Sequence, residues 1–405
     1  MNQTAVAELP AAARRVVLLH YSEIGLKGKN RHRFEQQLID NIKLALSDLW
    51  QGRIQRLHGR FLLPLADEAL WPAVKARLQQ VFGLANFSPA VVVPAEKPLI
   101  EQACLALMAR QRYGSFRVHA RRAQKNLPFT SQQLQVDVGA AIQAMSGARV
   151  DLSHPEVTCY IEVTNDQALV YTEKVSGARG LPVGVSERAM VLLSSGIDSP
   201  VASWKMLKRG VRLSYVHFHS IPFTSEASLN NTRRLLQVLT RYQYRAVLYA
   251  VPFLPVQQAI MVNAPPDYRV VLYRRFMFRI AERLAHRERC QALVTGESIG
   301  QVASQTLTNL RVISQVCQLP VLRPLAGDDK EEIVALARQI GTFEISTEPY
   351  EDCCSLYVPR HPTTAARLET VQEIEARLPV AELVEAAVRE AQKETFRFPA
   401  TETSS

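Results

Sequence analysis

The chain has 405 residues, 47% of them hydrophobic, and its 48 Lys and Arg outnumber 38 Asp and Glu for a formal charge of +10. That length predicts a globular protein of about two to four domains, and a pI near 9.4 points to a polyanionic partner. No apolar run is long enough to cross a bilayer and only four apolar residues follow Arg14 and Arg15, which excludes a membrane span and a signal peptide and predicts a cytoplasmic protein.

The first unit, 15–82, opens with a strand-like run at 15–20 and a Gly-rich basic turn, Glu23-Ile-Gly-Leu-Lys-Gly-Lys-Asn-Arg31, which carries Lys27, Lys29 and Arg31. Phe34, Leu38, Ile42, Ala45 and Leu49 then recur at helical spacing. Strand signals at 53–65 and a helix at 69–81 complete an α+β pattern. In a second unit, 83–176, residues 114–123 alternate as a strand, 131–145 carry a helical stripe of Leu134, Val138, Ile142 and Met145, and 157–164 alternate again. The Gly- and Pro-rich stretch 176–184 reads as a linker. From 185 to 393 strands and helices alternate, which predicts a doubly wound, mainly parallel α/β domain with ligands at the carboxyl ends of its strands. One of its helices, 269–289, holds seven Arg, most of them expected in solvent or on phosphate. Asp328-Asp-Lys-Glu-Glu332 reads as a capped helix start and Gly341 as its stop. A last helix is expected at 380–393, and a polar tail at 394–405 is expected to be disordered. No internal repeat occurs.

The strand ending at Leu192-Leu193 runs into Ser194-Ser-Gly-Ile-Asp-Ser199 and then a helix opened by Pro200. Small residues there let backbone N–H groups approach a phosphate, the helix directs its positive end at the same point, and Pro200 suits the first turn. Asp198 can carry Mg²⁺ on a pyrophosphate and Ser199 can donate its hydroxyl. No Walker lysine follows, so this is not the usual P-loop. The loop resembles the PP-loop of ATP pyrophosphatases, whose pattern is Ser-Gly-Gly-x-Asp-Ser; Ser195 replaces its first Gly, a strain of about 1 kcal/mol or more if that position needs positive φ.

A basic cluster, Arg117-Val-His-Ala-Arg-Arg-Ala-Gln-Lys125, places Arg117, Arg121, Arg122 and Lys125 in nine residues, with Phe129 beyond it as a candidate stacking face. By itself such a cluster is more often a solvated surface. The second unit, including Phe116-Arg-Val-His-Ala-Arg-Arg122, resembles the THUMP domain of RNA-modifying enzymes, and the Gly-Leu-Lys-Gly-Lys-Asn-Arg turn before it looks like the ferredoxin-like domain that accompanies THUMP. That resemblance implies binding of tRNA by shape and backbone, with Arg33 extending the face formed by Lys27, Lys29 and Arg31.

With ferredoxin-like, THUMP and PP-loop ATP pyrophosphatase parts in this order, the chain is similar to the tRNA 4-thiouridine synthetases, or tRNA sulfurtransferases, from about residue 20 to 377. The resemblance implies that ATP adenylates O4 of uridine at tRNA position 8, that a persulfide delivers sulfur to C4, that a cysteine desulfurase supplies it, and that the relay can serve the thiamine thiazole. It implies ATP and Mg²⁺ as cofactors, a homodimer, and no resident metal site. Carried over singly, Ser194, Gly196, Asp198 and Ser199 hold pyrophosphate; Leu192, Leu193, His217, Phe218, Arg274, Gly296 and Gln305 form the nucleotide site; and Lys330 reaches phosphate. Gly296 is expected where a ligand comes close to the backbone.

Six cysteines without a Cys-x-x-Cys pair predict neither a zinc site, a disulfide framework nor an iron–sulfur cluster. Cys353 and Cys354 lie where the family has its catalytic cysteine, and Arg360 and His361 are near enough in sequence to lower a thiol pKa. Some members add a C-terminal rhodanese domain, but here no cysteine follows Cys354, so the persulfide is expected on one of this pair or on a separate sulfur-carrier protein. Two other readings share the loop: a ligase acting on a small molecule, and a tRNA-binding factor with a decayed loop. The basic N-terminal half argues against the first, and intact Asp198 and Ser199 argue against the second.

Overall fold

The computed structural model describes residues 8–21, 23–123, 127–164, 166–349 and 362–399. Two compact units divide it: Met1–Arg31 with Leu46–Arg179, and His32–Ala45 with Gly180–Ser405. The division at Arg179 falls inside the expected linker.

The N-terminal half of the chain forms β1 (Arg14–Tyr21), α1 (Arg31–Ala45), β2 (Gln55–Leu57), β3 (Arg60–Pro64), α2 (Trp71–Leu78), β4 (Leu84–Pro94), α3 (Lys97–Met108), β5 (Ser115–Arg122), α4 (Ser131–Ser146), β6 (Arg149–Val150), β7 (Val157–Val163), β8 (Gln167–Tyr171) and β9 (Val175–Ser176). Its nine strands build one sheet, β2-β3-β1-β4-β8-β7-β5-β6, with β9 paired to β4. The sheet continues across the expected boundary at 82/83, because β4 lies antiparallel to both β1 and β8. Ala90 and Val92 enter one apolar core with Val16, Leu18 and Leu62, while Val91 and Val93 enter another with Ile100, Phe116 and Leu134. Both faces of β4 are therefore covered, and residues 89–94 form a continuous apolar run without a period-2 signal. In α1 the stripe is buried at Leu38, Ile42 and Ala45, and half-buried at Phe34. The helix partitions with the C-terminal unit, where buried Asn41 donates from Nδ2 to Val183 O at 3.0 Å.

The C-terminal unit contains β10 (Arg188–Leu192), α5 (Asp198–Lys208), β11 (Arg212–His219), α6 (Ala227–Gln243), β12 (Arg245–Pro252), α7 (Leu254–Asn263), α8 (Arg269–Arg287), β13 (Ala292–Val294), α9 (Leu307–Ser314), β14 (Val321–Leu322), α10 (Lys330–Ile340), α11 (Phe343–Ser346), α12 (Leu368–Glu375), α13 (Val380–Glu390) and β15 (Gln392–Arg397). The sheet order is β14-β13-β10-β11-β12-β15. All pairings are parallel except that of β15, which runs antiparallel on β12. This corrects the expectation of disorder from residue 394: Glu394–Arg397 continue an edge strand, anchored by an Arg233–Glu394 ion pair of 2.7 Å. Pairing outweighs the polar composition, since β15 completes the backbone bonds of β12 and covers its edge. A capping box of Asp329 and Glu332 starts α10, and Gly341 ends it at φ 78°. The arginines of α8 are not all surface groups. Arg275 is 1% exposed and, with Arg279, is paired to Glu375 of α12 at 2.8 and 2.6 Å.

Successive strands extend in opposite directions from β10, so the order reverses between β10 and β13. A crevice opens at such a point beyond the carboxyl ends of the strands.

Candidate active site and nucleic-acid interface

A cleft occupies that crevice. Its walls include Leu192, Leu193, Ser194, Asp198, Ser199, His217, Phe218, Arg274, Gly296 and Gln305, each singled out in the sequence. Gly196 belongs to the same loop, and its carbonyl accepts a 3.2 Å bond from the Ser346 hydroxyl. Ser199 closes the turn: its Oγ accepts from Ser194 N at 2.9 Å and lies 3.1 Å from Ser194 O. Ser195 is accommodated without the anticipated strain. Among the described residues, positive φ outside glycine occurs at Arg179, Tyr244 and Arg289.

Asp198 opens α5 beside the loop. Lys330 Nζ donates to its Oδ1 at 2.5 Å and Gln301 Nε2 to its Oδ2 at 3.0 Å. A lysine in the first turn of α10 sits at the positive end of that helix, where the dipole opposes it, so its position is explained by the anionic site it faces. Gly296 lines the cleft and also lies against protein: a Cβ there would be 2.6 Å from Ser199 N and 2.8 Å from the Asp198 carbonyl carbon, so its backbone closely approaches the first turn of α5.

The cleft also contains charges that the sequence reading missed. Glu297, 3% exposed, is bonded by Arg274 and by Arg323 Nε at 2.8 Å, and accepts from Thr295 Oγ1 at 2.8 Å. Burial opposes its charge, but Arg274, Arg323 and Thr295 outweigh burial and hold the carboxyl below its ordinary range. Only its place beside Gly296 hinted at this role, and Gln301 gave no signal. Arg274 is thus oriented through Glu297 and stacks 5.5 Å from the Phe278 ring.

Cys353, Cys354, Arg360, His361 and Lys125 lie outside the described residues. Chain on either side of the cysteine pair is tied near the cleft: Ser346 to Gly196 O, and Thr363 O to Asn309 Nδ2 at 2.8 Å, beside the Gln305 wall.

In the N-terminal unit, β5 alternates, placing Arg117, His119 and Arg121 on one face, where they line a concave surface with Tyr160, Tyr171 and Lys174. Tyr160 stacks on Tyr171 at 4.9 Å and meets His119 edge-on at 5.9 Å. Partial burial, then Arg121, Arg117 and Lys174, hold the His119 imidazole below its ordinary pKa, so it is neutral in a cationic surround. Arg122 departs from the expected patch: it has the opposite parity, and its guanidinium donates to Phe129 O. Phe129 is 6% exposed in the core and offers no stacking face. Lys27 is half-exposed and Lys29 exposed, Arg31 donates to Tyr21 OH at 2.5 Å, and Arg33 donates to Val185 O within the C-terminal unit.

Residues 184–380 match the family described as thiamine biosynthesis protein (ThiI), 16–88 the ThiI ferredoxin-like domain and 96–173 the THUMP domain. A probable tRNA sulfurtransferase of Moorella thermoacetica is 44% identical over 91% of this chain and 94% of its own length. One from Thermus thermophilus is 44% identical over 94% and 93%. A crystal structure of a 4-thiouridine synthetase in complex with RNA and bound ATP superposes with a TM-score of 0.89 at 38% identity, covering 95% of this chain and all of that one. The Ser-Ser-Gly-Ile-Asp-Ser turn at the switch point of a doubly wound sheet, the matches to the ThiI, ThiI ferredoxin-like and THUMP families, and relatives matched along nearly their whole length together place this chain in the tRNA sulfurtransferase family.

Proposed function

We propose that this chain uses ATP to convert uridine at position 8 of tRNA to 4-thiouridine. The convergence of residues scattered from 192 to 305 on one cleft carries this reading. The cleft suits the nucleotide. Gln305 Oε1 is buried without a hydrogen-bond partner and offers an acceptor for a purine amine, while the loop N–H groups and the α5 N-terminus face the phosphates. Uridine O4 attacks the α-phosphorus and pyrophosphate leaves. Asp198 would hold Mg²⁺, which neutralises phosphate charge when bound, and Lys330 brings a second cation to the same point. The terminal sulfur of a persulfide then attacks C4 and AMP leaves. A second thiol breaks the remaining S–S link by forming a disulfide, which releases thiouridine. One of Cys353 and Cys354 is the proposed sulfur-handling thiol, its disulfide partner a thiol elsewhere, and the sulfur comes from a cysteine desulfurase directly or through a separate carrier.

The N-terminal unit grips the tRNA, with ferredoxin-like and THUMP parts at 15–82 and 83–176 and the adenylating domain at 185–393. Lys27, Lys29 and Arg31 join Arg117 and Arg121 in that grip. The protein acts in the cytoplasm as a homodimer and can also supply sulfur for the thiamine thiazole. No described helix is long and apolar enough to cross a membrane.

The test combines unmodified tRNA, Mg-ATP, a cysteine desulfurase and labelled cysteine with the unaltered chain and with Asp198→Ala, Cys353→Ser and Cys354→Ser. Label should enter tRNA with the unaltered chain, vanish with Asp198→Ala and vanish with at least one cysteine variant. Pyrophosphate release that ignores tRNA would instead favour a small-molecule ligase.

A further inference from the structure

Behind the phosphate loop lies a group of buried polar residues of which His217 alone also lines the cleft. Ser195, His217, Ser228, Asn231 and Thr232 are each at most 5% exposed. Three elements meet there: the loop after β10, the strand β11 and the first turns of α6.

His217 Nδ1 is 2.9 Å from Leu193 O, and a carbonyl only accepts, so Nδ1 carries a proton. Thr232 Oγ1 lies 3.3 Å from the same nitrogen. On the other side of the ring Nε2 faces Ser228 Oγ at 3.4 Å, and Ser228 Oγ shares a 3.0 Å hydrogen bond with Ser195 Oγ. The chain runs from Ser195 through Ser228 and His217 to Leu193 O. It fastens both neighbours of Ser194 to the body of the domain.

We infer that Ser228 is a positioning residue for ATP, which holds the phosphate loop in its binding shape through Ser195 on one side and His217 on the other. The inference rests on the ATP site proposed above. Ser195, which replaces the glycine of the PP-loop pattern, is then a restraint: its hydroxyl has a built partner on α6. Preorganised donors cost less to align when the ligand arrives. Without Ser228 that hydroxyl is stranded in a dry site, and a buried hydroxyl without a partner is costly.

Calorimetric titration of the full chain with Mg-ATP tests this without turnover, and the KM for ATP and kcat in tRNA thiolation follow. Ser228→Ala should weaken ATP binding about tenfold and raise KM by a similar factor, with kcat changed less than about threefold. Ser195→Gly should weaken binding by only about twofold to threefold, because Ser228 retains His217. The double variant Ser195→Gly/Ser228→Ala, which has no stranded hydroxyl but also lacks the Ser228–His217 bond, should bind better than Ser228→Ala, its loss well short of the product of the two single losses. That recovery separates positioning from general damage, since independent losses multiply. Ser228→Ala binding like the unaltered chain, or single effects that multiply in the double variant, would overturn the inference while ATP binding itself survives. No ATP binding by the unaltered chain would overturn the proposed activity, and the inference with it.

Discussion

Gly296 shows how one missing methyl group can position the Asp198 carboxylate. Its Cα packs against the peptide between Asp198 and Ser199, and an added Cβ would have to push backbone only 2.6 Å away. Gly296→Ala should therefore displace the first turn of α5, lowering kcat/KM for tRNA thiolation by roughly tenfold to a hundredfold. The overpacking should cost about 1–3 kcal/mol of stability, read by denaturant unfolding. Sequence alone marks Gly296 as a place of close approach, but not what approaches. That depends on β13 lying beside β10, a pairing of residues a hundred positions apart. Glu297 was hidden for the same reason, because its partners Arg274 and Arg323 come from distant segments.

At the scale of elements, strand parity separates arginines that composition groups together. Arg121 shares the outer face of β5 with Arg117, whereas Arg122 turns toward the core face and binds Phe129 O. Arg121→Gln should reduce the slope of log K for tRNA against log salt by about 0.7–0.9, the value of one phosphate contact. Arg122→Gln should leave that slope unchanged and lower stability by about 1 kcal/mol through the lost bond. Binding isotherms at several salt concentrations, with thermal unfolding alongside, distinguish the two. The alternation at 114–123 was legible in sequence. The β15 strand was not: Gln392-Lys-Glu-Thr-Phe-Arg397 is polar and earns its place only by pairing with β12.

For the molecule as a whole, two carboxylates among the described residues are held at about 2, the buried Glu375 in one unit and the half-buried Glu162 in the other. Burial opposes the charge of Glu375, yet Arg275 and Arg279 more than offset it; burial likewise opposes the charge of Glu162, and His20, Arg60 and Tyr171 prevail. Both are depressed below the ordinary 4.5, so the unfolded chain binds the extra protons in that interval. The stability they supply is complete above about pH 4.5 and is lost as pH falls through about 2. For Glu375 the contribution is on the order of 3 kcal/mol. Unfolding free energy of the C-terminal unit should decline across that window, and Glu375→Gln should flatten the decline while lowering stability at neutral pH, because it leaves Arg275 buried without a counter-charge. An unchanged acid profile in Glu375→Gln would refute this assignment. By itself the sequence determined the α/β alternation and the Ser-Gly turn after β10, because those rest on local periodicity and on small residues at fixed spacing, whereas most of the cleft residues were named only through the resemblance to the tRNA 4-thiouridine synthetases. Tertiary structure alone decided which groups face one another: the two-sided burial of β4, the edge pairing of β15, the bonding of Asp198 by Lys330 and Gln301, and the serine–histidine chain behind the loop. These arise from contacts between segments far apart along the chain, which no local pattern records.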